Sequence, residues 1–276
     1  GKGIPLDHLE ARLKEDSNHE IKAVLATHNE TSTGVTSDIG GVRKAMDASS
    51  HPALLFVDGV SSIASIEFRM DDWGIDAAIS GSQKGFMLPA GLAVLAFSQK
   101  AIKLTETATF PRCFLDLKDQ MAQNALGYTP YTAATPMIYG LRKSLELLLD
   151  EGIENVYARH FRLAEGVRRA IAAWGLELCA APGFESDTVS AIVVPEDKDA
   201  KDVISTAFNK YNISLGAGLT EVAGKVFRIG HIGDMNDVSL LGCIAGVEMA
   251  MLDNGFDITP GSGVAAAIEY YRSTAK

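Results

Sequence analysis

The sequence predicts an α/β fold: a mostly parallel sheet flanked by helices, followed by a smaller C-terminal α+β domain. Three observations predict it. Short apolar runs alternate with segments of helical spacing through the first half of the chain, as expected where helices pack outside a parallel sheet. The runs "PALLFV" and "AGLAVLAF" are continuous rather than alternating, the pattern of strands buried on both faces. A nearly unbroken helical pattern over 136–175 then separates this half from a second group of strands and helices.

The elements follow in order. "PLDHLEARLKED" carries helical apolar spacing, and "IKAVLATH" is a short apolar strand. "SDIGGVRKAMDAS" opens on Ser37 and Asp38, which suit an N-cap, and continues as a helix. "PALLFVDG", "DDWGIDAAISGS" and "GLAVLAFS" supply three further strands, and "SQKAIKLTET" a helix. The 136–175 segment reads as a long connecting helix. Beyond it, "TVSAIVVP" and "KVFRIGHIG" read as strands, and "DVISTAFNKYN" and "DVSLLGCIAGVEMAMLDNG" as helices. "GSGVAA" begins a terminal helix, because no strand-helix-strand unit fits between it and Lys276. The expected organisation is 1–150 as part of a large domain and 151–276 as the small one, with no internal repeat.

Composition narrows the function. Of 276 residues, 47% are hydrophobic and 22% charged, as in ordinary globular proteins, and the formal net charge is −10. Such a field repels phosphate backbones, so no nucleic-acid partner is expected, while a small anionic ligand held by a few placed cations stays open. Apolar runs fall short of the roughly 20 residues that span a bilayer, so no membrane association is expected. Cys113, Cys179 and Cys243 form no CxxC pair and read as buried thiols in a reducing, cytoplasmic setting. The opening residues lack a signal peptide's apolar core, and the first residue is not Met; a fragment or processed piece is expected.

Two polar residues stand at predicted strand ends, where open α/β sheets bind ligands. Asp58 closes "ALLFVD", and Lys84 follows "DAAISGS" one crossover later. An acid and an amine so placed can face one ligand, and equally can form a partly buried ion pair. The small residues of "SGSQKG" leave room for something flat beside the amine.

Four segments, "THNETSTGV", "LLFVDGVSS", "SGSQKGFMLPAG" and "KVFRIGHIGD", resemble in order and spacing the class V pyridoxal-phosphate (PLP) aminotransferases, and are most similar to their serine–glyoxylate and aspartate–glyoxylate members. The resemblance runs over essentially the whole chain. It implies PLP-dependent transferase fold type I and a cofactor bound through a Schiff base to Lys84. Lys84 then also moves a proton at the substrate α-carbon. The resemblance further implies that Asp58 pairs with the pyridine nitrogen, Gln83 lies beside the cofactor phosphate and Thr31 puts a hydroxyl near the ring. Arg228 in "FRIG" becomes the clamp for the substrate α-carboxylate.

Thr132 in "GYTPYTAATP" matches a residue that reaches the phosphate of the neighbouring subunit's cofactor, joined by either Tyr128 or Tyr131. A homodimer or larger assembly with shared active sites is then expected. The family's N-terminal part is absent from this chain, which leaves it lost or present as a separate fragment. The expected reaction moves an amino group from L-serine, or L-aspartate, to glyoxylate, giving glycine. "RMDDWGID" and "ATFPRCFLD" are similar to aspartate-using members, "YGLRKSLELL" and "LLGCIAGVEM" to serine-using ones. The alternatives are an alanine donor, another PLP chemistry such as a lyase or desulfurase, and a truncated chain without activity. A desulfurase needs a mobile cysteine, and only Cys113 is loop-like, with nothing around it to activate it.

Other motifs carry no chemistry. "GVSSI" lacks the second glycine of a nucleophile elbow. The six histidines include no H-x-x-x-H pair, so no metal site is expected. His28 and His231 lie beside family motifs and read as core or rim residues.

Overall fold

A computed structural model describes residues 1–275. The first half holds α1 (Leu6–Glu15), β1 (Ala23–Thr27), β2 (Asn29–Glu30), β3 (Val35–Thr36), α2 (Ile39–Ala48), β4 (Leu54–Asp58), β5 (Ala77–Gly81), β6 (Ala93–Phe97), α3 (Gln99–Leu104) and α4 (Leu117–Asn124). The second holds α5 (Thr135–Glu151), α6 (Ile153–Ala173), β7 (Glu177–Leu178), β8 (Val189–Val193), α7 (Ala200–Tyr211), β9 (Gly216–Ala217), β10 (Val226–Gly230), α8 (Asp237–Asp253) and α9 (Ser262–Ser273). Asp38 caps α2 as its sequence predicts, its carboxylate accepting the Gly41 N–H at 2.7 Å.

The larger sheet has the order β1-β4-β5-β6, parallel through β1, β4 and β5, with β6 antiparallel at one edge. Leu55, Val57 and Ala78 point to one face and bury against Ile39, Val42 and Met46 of α2 and Leu13 of α1. The other face differs from expectation. Leu25 is 79% exposed and Leu95 52%, and together with Phe56, Ile79 and Phe97 they line a hollow of about 400 Å³. Continuous apolar runs predict strands covered twice, and the described residues cover these strands once.

The second sheet, β7-β8-β10-β9, is antiparallel throughout. Its inward residues Ile192, Phe227 and Ile229 join Leu163, Val167 and Ile171 of α6 and Leu240, Ile244 and Val247 of α8 in a core separate from the first. Gly166 lets α9 approach α6: a Cβ there would lie 2.2 Å from the Tyr271 ring, whose hydroxyl donates to the Leu163 carbonyl at 2.8 Å. The 136–175 segment is two helices rather than one, broken at Gly152, whose φ of 84° belongs to the left-handed region that glycine enters without cost.

Among the described residues no helix is long and apolar enough to cross a membrane. The cysteines depart from their expected burial: Cys113 is exposed, its sulfur 3.3 Å from the Tyr131 hydroxyl, and Cys179 and Cys243 are half-buried. Cys113 sits between α3 and α4, where neither core reaches.

Candidate active site

Lys84 sits just past the end of β5, on a loop that closes on itself. Ser82 Oγ donates to the Pro89 carbonyl at 2.8 Å and accepts the Leu92 N–H at 3.1 Å. Gly85 is required next, since a Cβ there would lie 2.2 Å from the Ile63 carbonyl. Lys84 is half-buried, its carbonyl accepts the Met87 N–H at 2.9 Å, and among the described residues its amine makes neither a hydrogen bond nor an ion pair. The ion-pair reading of Lys84 with Asp58 is therefore not what the structure contains.

The amine lines a cleft of about 380 Å³ that both halves of the chain build. Thr31 and Ser61 enter from the first half, and Thr188, Ser214 and Arg228 from the second. A hydroxyl and amide network ties them together. Asn29 Nδ2 donates to Ser61 Oγ at 2.9 Å and to Thr188 Oγ1 at 3.1 Å, and Thr188 Oγ1 donates to the Ser61 carbonyl at 2.9 Å. Thr31 Oγ1 donates to Ser61 Oγ at 3.1 Å. Buried hydroxyls satisfied in this way hold a polar floor without loose groups.

Arg228 comes from β10. Its Nη1 donates to the Thr31 carbonyl at 2.8 Å, while its buried Nε has no partner among the described residues. Burial pushes the guanidinium below its ordinary pKa, with the nearby Glu30 acting the other way. An unpartnered buried donor costs stability unless something accepts from it.

The other residues named from sequence lie elsewhere. Asp58, at the end of β4, is exposed; its Oδ1 accepts the Val60 N–H at 2.9 Å, and it lines the hollow on the open sheet face together with Thr27 and Ile79. Gln83 points outward, and Thr132, Tyr128 and Tyr131 lie exposed on the segment between α4 and α5. The cleft thus collects Thr31, Lys84 and Arg228, while Asp58, Gln83 and Thr132 stand outside its lining.

Both flagged histidines are satisfied core residues. His28 Nδ1 lies 2.8 Å from Ser62 Oγ among Phe68 and Trp73, and burial lowers its pKa to about 4. His231 lies between Ser190 Oγ and the Asp187 carbonyl, lowered by burial to about 3. Sequence reasoning missed His160, whose Nε2 accepts the Gly233 N–H at 3.0 Å and whose pKa burial lowers to about 4. It also missed Ser61, Thr188 and Ser214. Ser61 and Thr188 stood within quoted segments and Ser214 did not; none carries a local signal for the cleft, because they meet there only through folding.

An unpaired amine, a guanidinium with a free buried N–H and several hydroxyls around one cleft fit a ligand that combines an aldehyde with anionic groups. Comparison with known proteins agrees with that chemistry. The family model described as "Aminotransferase class-V" matches residues 4–233. A serine–glyoxylate aminotransferase of Methylorubrum extorquens is 58% identical over 99% of this chain and 69% of its own length. An L-aspartate–glyoxylate aminotransferase of Paracoccus denitrificans is 57% identical over the same shares. Among solved structures, pyridoxamine–pyruvate aminotransferase from Mesorhizobium loti superposes with a TM-score of 0.91 at 28% identity, covering 99% of this chain and 70% of that one. The match spans both sheets, and the residues of the cleft fit the pyridoxal phosphate that such enzymes use. The chain belongs to the class V aminotransferases, the PLP-dependent transaminases.

Proposed function

We propose that this chain transfers the amino group of L-serine to glyoxylate, releasing glycine and the 2-oxo acid of serine. The observation that carries the reading is the one cleft lined together by Lys84, Arg228 and the hydroxyl residues Thr31, Ser61, Thr188 and Ser214. Two relatives that match nearly the whole chain are named as glyoxylate aminotransferases, one for serine and one for aspartate. The hydroxyl-lined cleft favours the donor whose side chain is itself a hydroxyl.

Bound pyridoxal phosphate supplies an aldehyde and an electron-withdrawing ring that accepts the electron pair left when the α-proton departs. The protein does the rest. Lys84 would hold the cofactor through its amine and, when that amine is free, would move the proton at the substrate α-carbon as base and then acid. Arg228 binds the α-carboxylate through its free N–H groups, which orients the α-carbon toward Lys84. Asp58, which lies at the end of β4 outside the lining of the cleft, would pair with the ring nitrogen and keep it protonated. Thr31 would put its hydroxyl near the ring, and Gln83, exposed next to Lys84, would lie beside the phosphate.

A homodimer is part of the same reading. Phe110, Phe114, Leu115, Leu126 and Tyr128 are each more than 60% exposed on one stretch next to Thr132. Monomers rarely leave such a run in water, and a partner covering it brings Thr132 toward the partner's cofactor. We read 1–150 as part of the cofactor-binding domain and 151–276 as the small domain, supported by the two separate cores. The unpaired cysteines fit a cytoplasmic setting.

The test is a visible spectrum of the protein loaded with pyridoxal phosphate. Serine added alone should bleach the lysine-bound band, and glyoxylate should restore it. Bleaching by aspartate and not by serine would reassign the donor, and no band at all would refute the role of Lys84.

A further inference from the structure

Gly216 pairs directly with Arg228 across the antiparallel strands β9 and β10. Opposed residues in such a ladder ordinarily keep their Cβ atoms about 4.5–5.5 Å apart. A Cβ at Gly216 would lie 3.1 Å from Arg228 Cβ, 3.0 Å from Nε and 3.4 Å from Cζ. The arginine therefore folds back over β9 from its root to its head, through space that any side chain at 216 would occupy. Backbone conformation does not ask for glycine here, since φ of Gly216 is not among the positive values. The need is for side-chain room alone.

The far end of the arginine is held as well. Nη1 donates to the Thr31 carbonyl at 2.8 Å, which turns the Nε and Nη2 edge away from that strand turn. Nε is buried with no partner, and among the described residues Nη2 has none either.

We propose that Gly216 and the Thr31 carbonyl are positioning elements that set the Nε–Nη2 edge of Arg228 to receive the substrate carboxylate as a two-pronged pair. The proposal rests on the carboxylate-binding role of Arg228 given above. A methyl group at 216 presses on Nε and shifts the fork by a few tenths of an ångström or more. That misaligns two charge-assisted hydrogen bonds while leaving Lys84 and its surroundings untouched.

The experiment compares Gly216→Ala, Arg228→Leu and the double variant in the cofactor-loaded enzyme. Calorimetric titration with glycolate, a carboxylate that cannot be transaminated, gives a second readout. Gly216→Ala should raise KM for both serine and glyoxylate by on the order of tenfold and weaken glycolate by a similar factor. Its kcat should stay within about threefold of the parent and its cofactor spectrum should not change, because only carboxylate binding has been altered. The double variant should bind glycolate no worse than Arg228→Leu alone, since no guanidinium is then left to misalign.

Unchanged KM and glycolate affinity in Gly216→Ala, or losses that add in the double variant, overturn the proposal. If Arg228→Leu itself leaves glycolate binding unchanged, the clamp role fails, and that outcome is distinct from failure at Gly216.

Discussion

Lowering the pH from 7 to 5 should cost this protein on the order of 6 kcal/mol of stability, through three buried histidines. Burial lowers His28 and His160 to about 4 and His231 to about 3, whereas in the unfolded chain each titrates near 6.5. All three are folded in the neutral form. Stability is therefore whole above pH 6.5 and falls as the pH drops toward 4, where the unfolded chain binds protons that the folded chain refuses. At pH 5 each histidine contributes a loss of about 2 kcal/mol. The half-buried Asp187 runs the other way, its carboxyl raised by desolvation, with Arg168 at 3.1 Å limiting that rise.

A total of this size is a large part of a usual folding stability of roughly 5–15 kcal/mol. It corresponds to a fall in Tm of roughly 10–20 °C for a chain of this length. Circular-dichroism melts at the two pH values measure the fall, and urea unfolding at pH 5 should take up nearly three protons. His160→Gln keeps an acceptor for the Gly233 N–H and should remove one of them. A Tm shift under about 3 °C, or uptake of less than one proton, would refute the reasoning. Loss of activity on acidification should track the melt, because His160 and His231 hold the strand end and loop that carry Gly230 and Ile232 into the cleft.

Two further predictions concern single side chains. Asp58→Ala should lower kcat by on the order of a hundredfold, about one charge-assisted hydrogen bond, with Tm unchanged, since its carboxylate is exposed and bonds only the Val60 N–H; turnover within a few-fold of the parent in steady-state assays would remove it from the mechanism. Glu248→Ala should cost on the order of 3–5 kcal/mol in urea denaturation, because the buried Glu248 accepts from Trp174 Nε1 at 2.8 Å, from the Gly263 N–H at 2.9 Å and from the Gly261 N–H. Glu248→Gln keeps one accepting oxygen and should lose less. A cost below about 1 kcal/mol for the alanine variant would show that water satisfies those donors.

The site was legible where its chemistry is local. Lys84 stands out because a lysine follows a buried strand among small residues, and Thr31 and Arg228 because they sit in ordered, recognisable segments. The network beneath them was not legible. Asn29, Ser61 and Thr188 meet across long stretches of chain, and a serine or threonine in isolation is more often a turn residue or a cap than the floor of a cleft. His160 was invisible for a related reason: on a helix its neighbours in sequence say nothing of the Gly233 N–H it meets. His28 and His231, read from the sequence as core or rim residues despite lying beside motifs, are core residues, since closeness along the chain does not set the direction of a side chain.

By itself the sequence determined the alternation of strands and helices, the family and the amine at the strand end, because apolar periodicity and short motifs are local properties that survive without three-dimensional context. The break at Gly152, the open face over Leu25 and Leu95, and the enclosure of Arg228 between Thr31 and Gly216 were decided only in the tertiary structure. Each depends on what the chain brings alongside a residue from far away in sequence. The same arginine on a bare strand is a surface charge. Folded back over a glycine, with one nitrogen on a carbonyl and another buried without a partner, it is a cation held at the wall of a cleft.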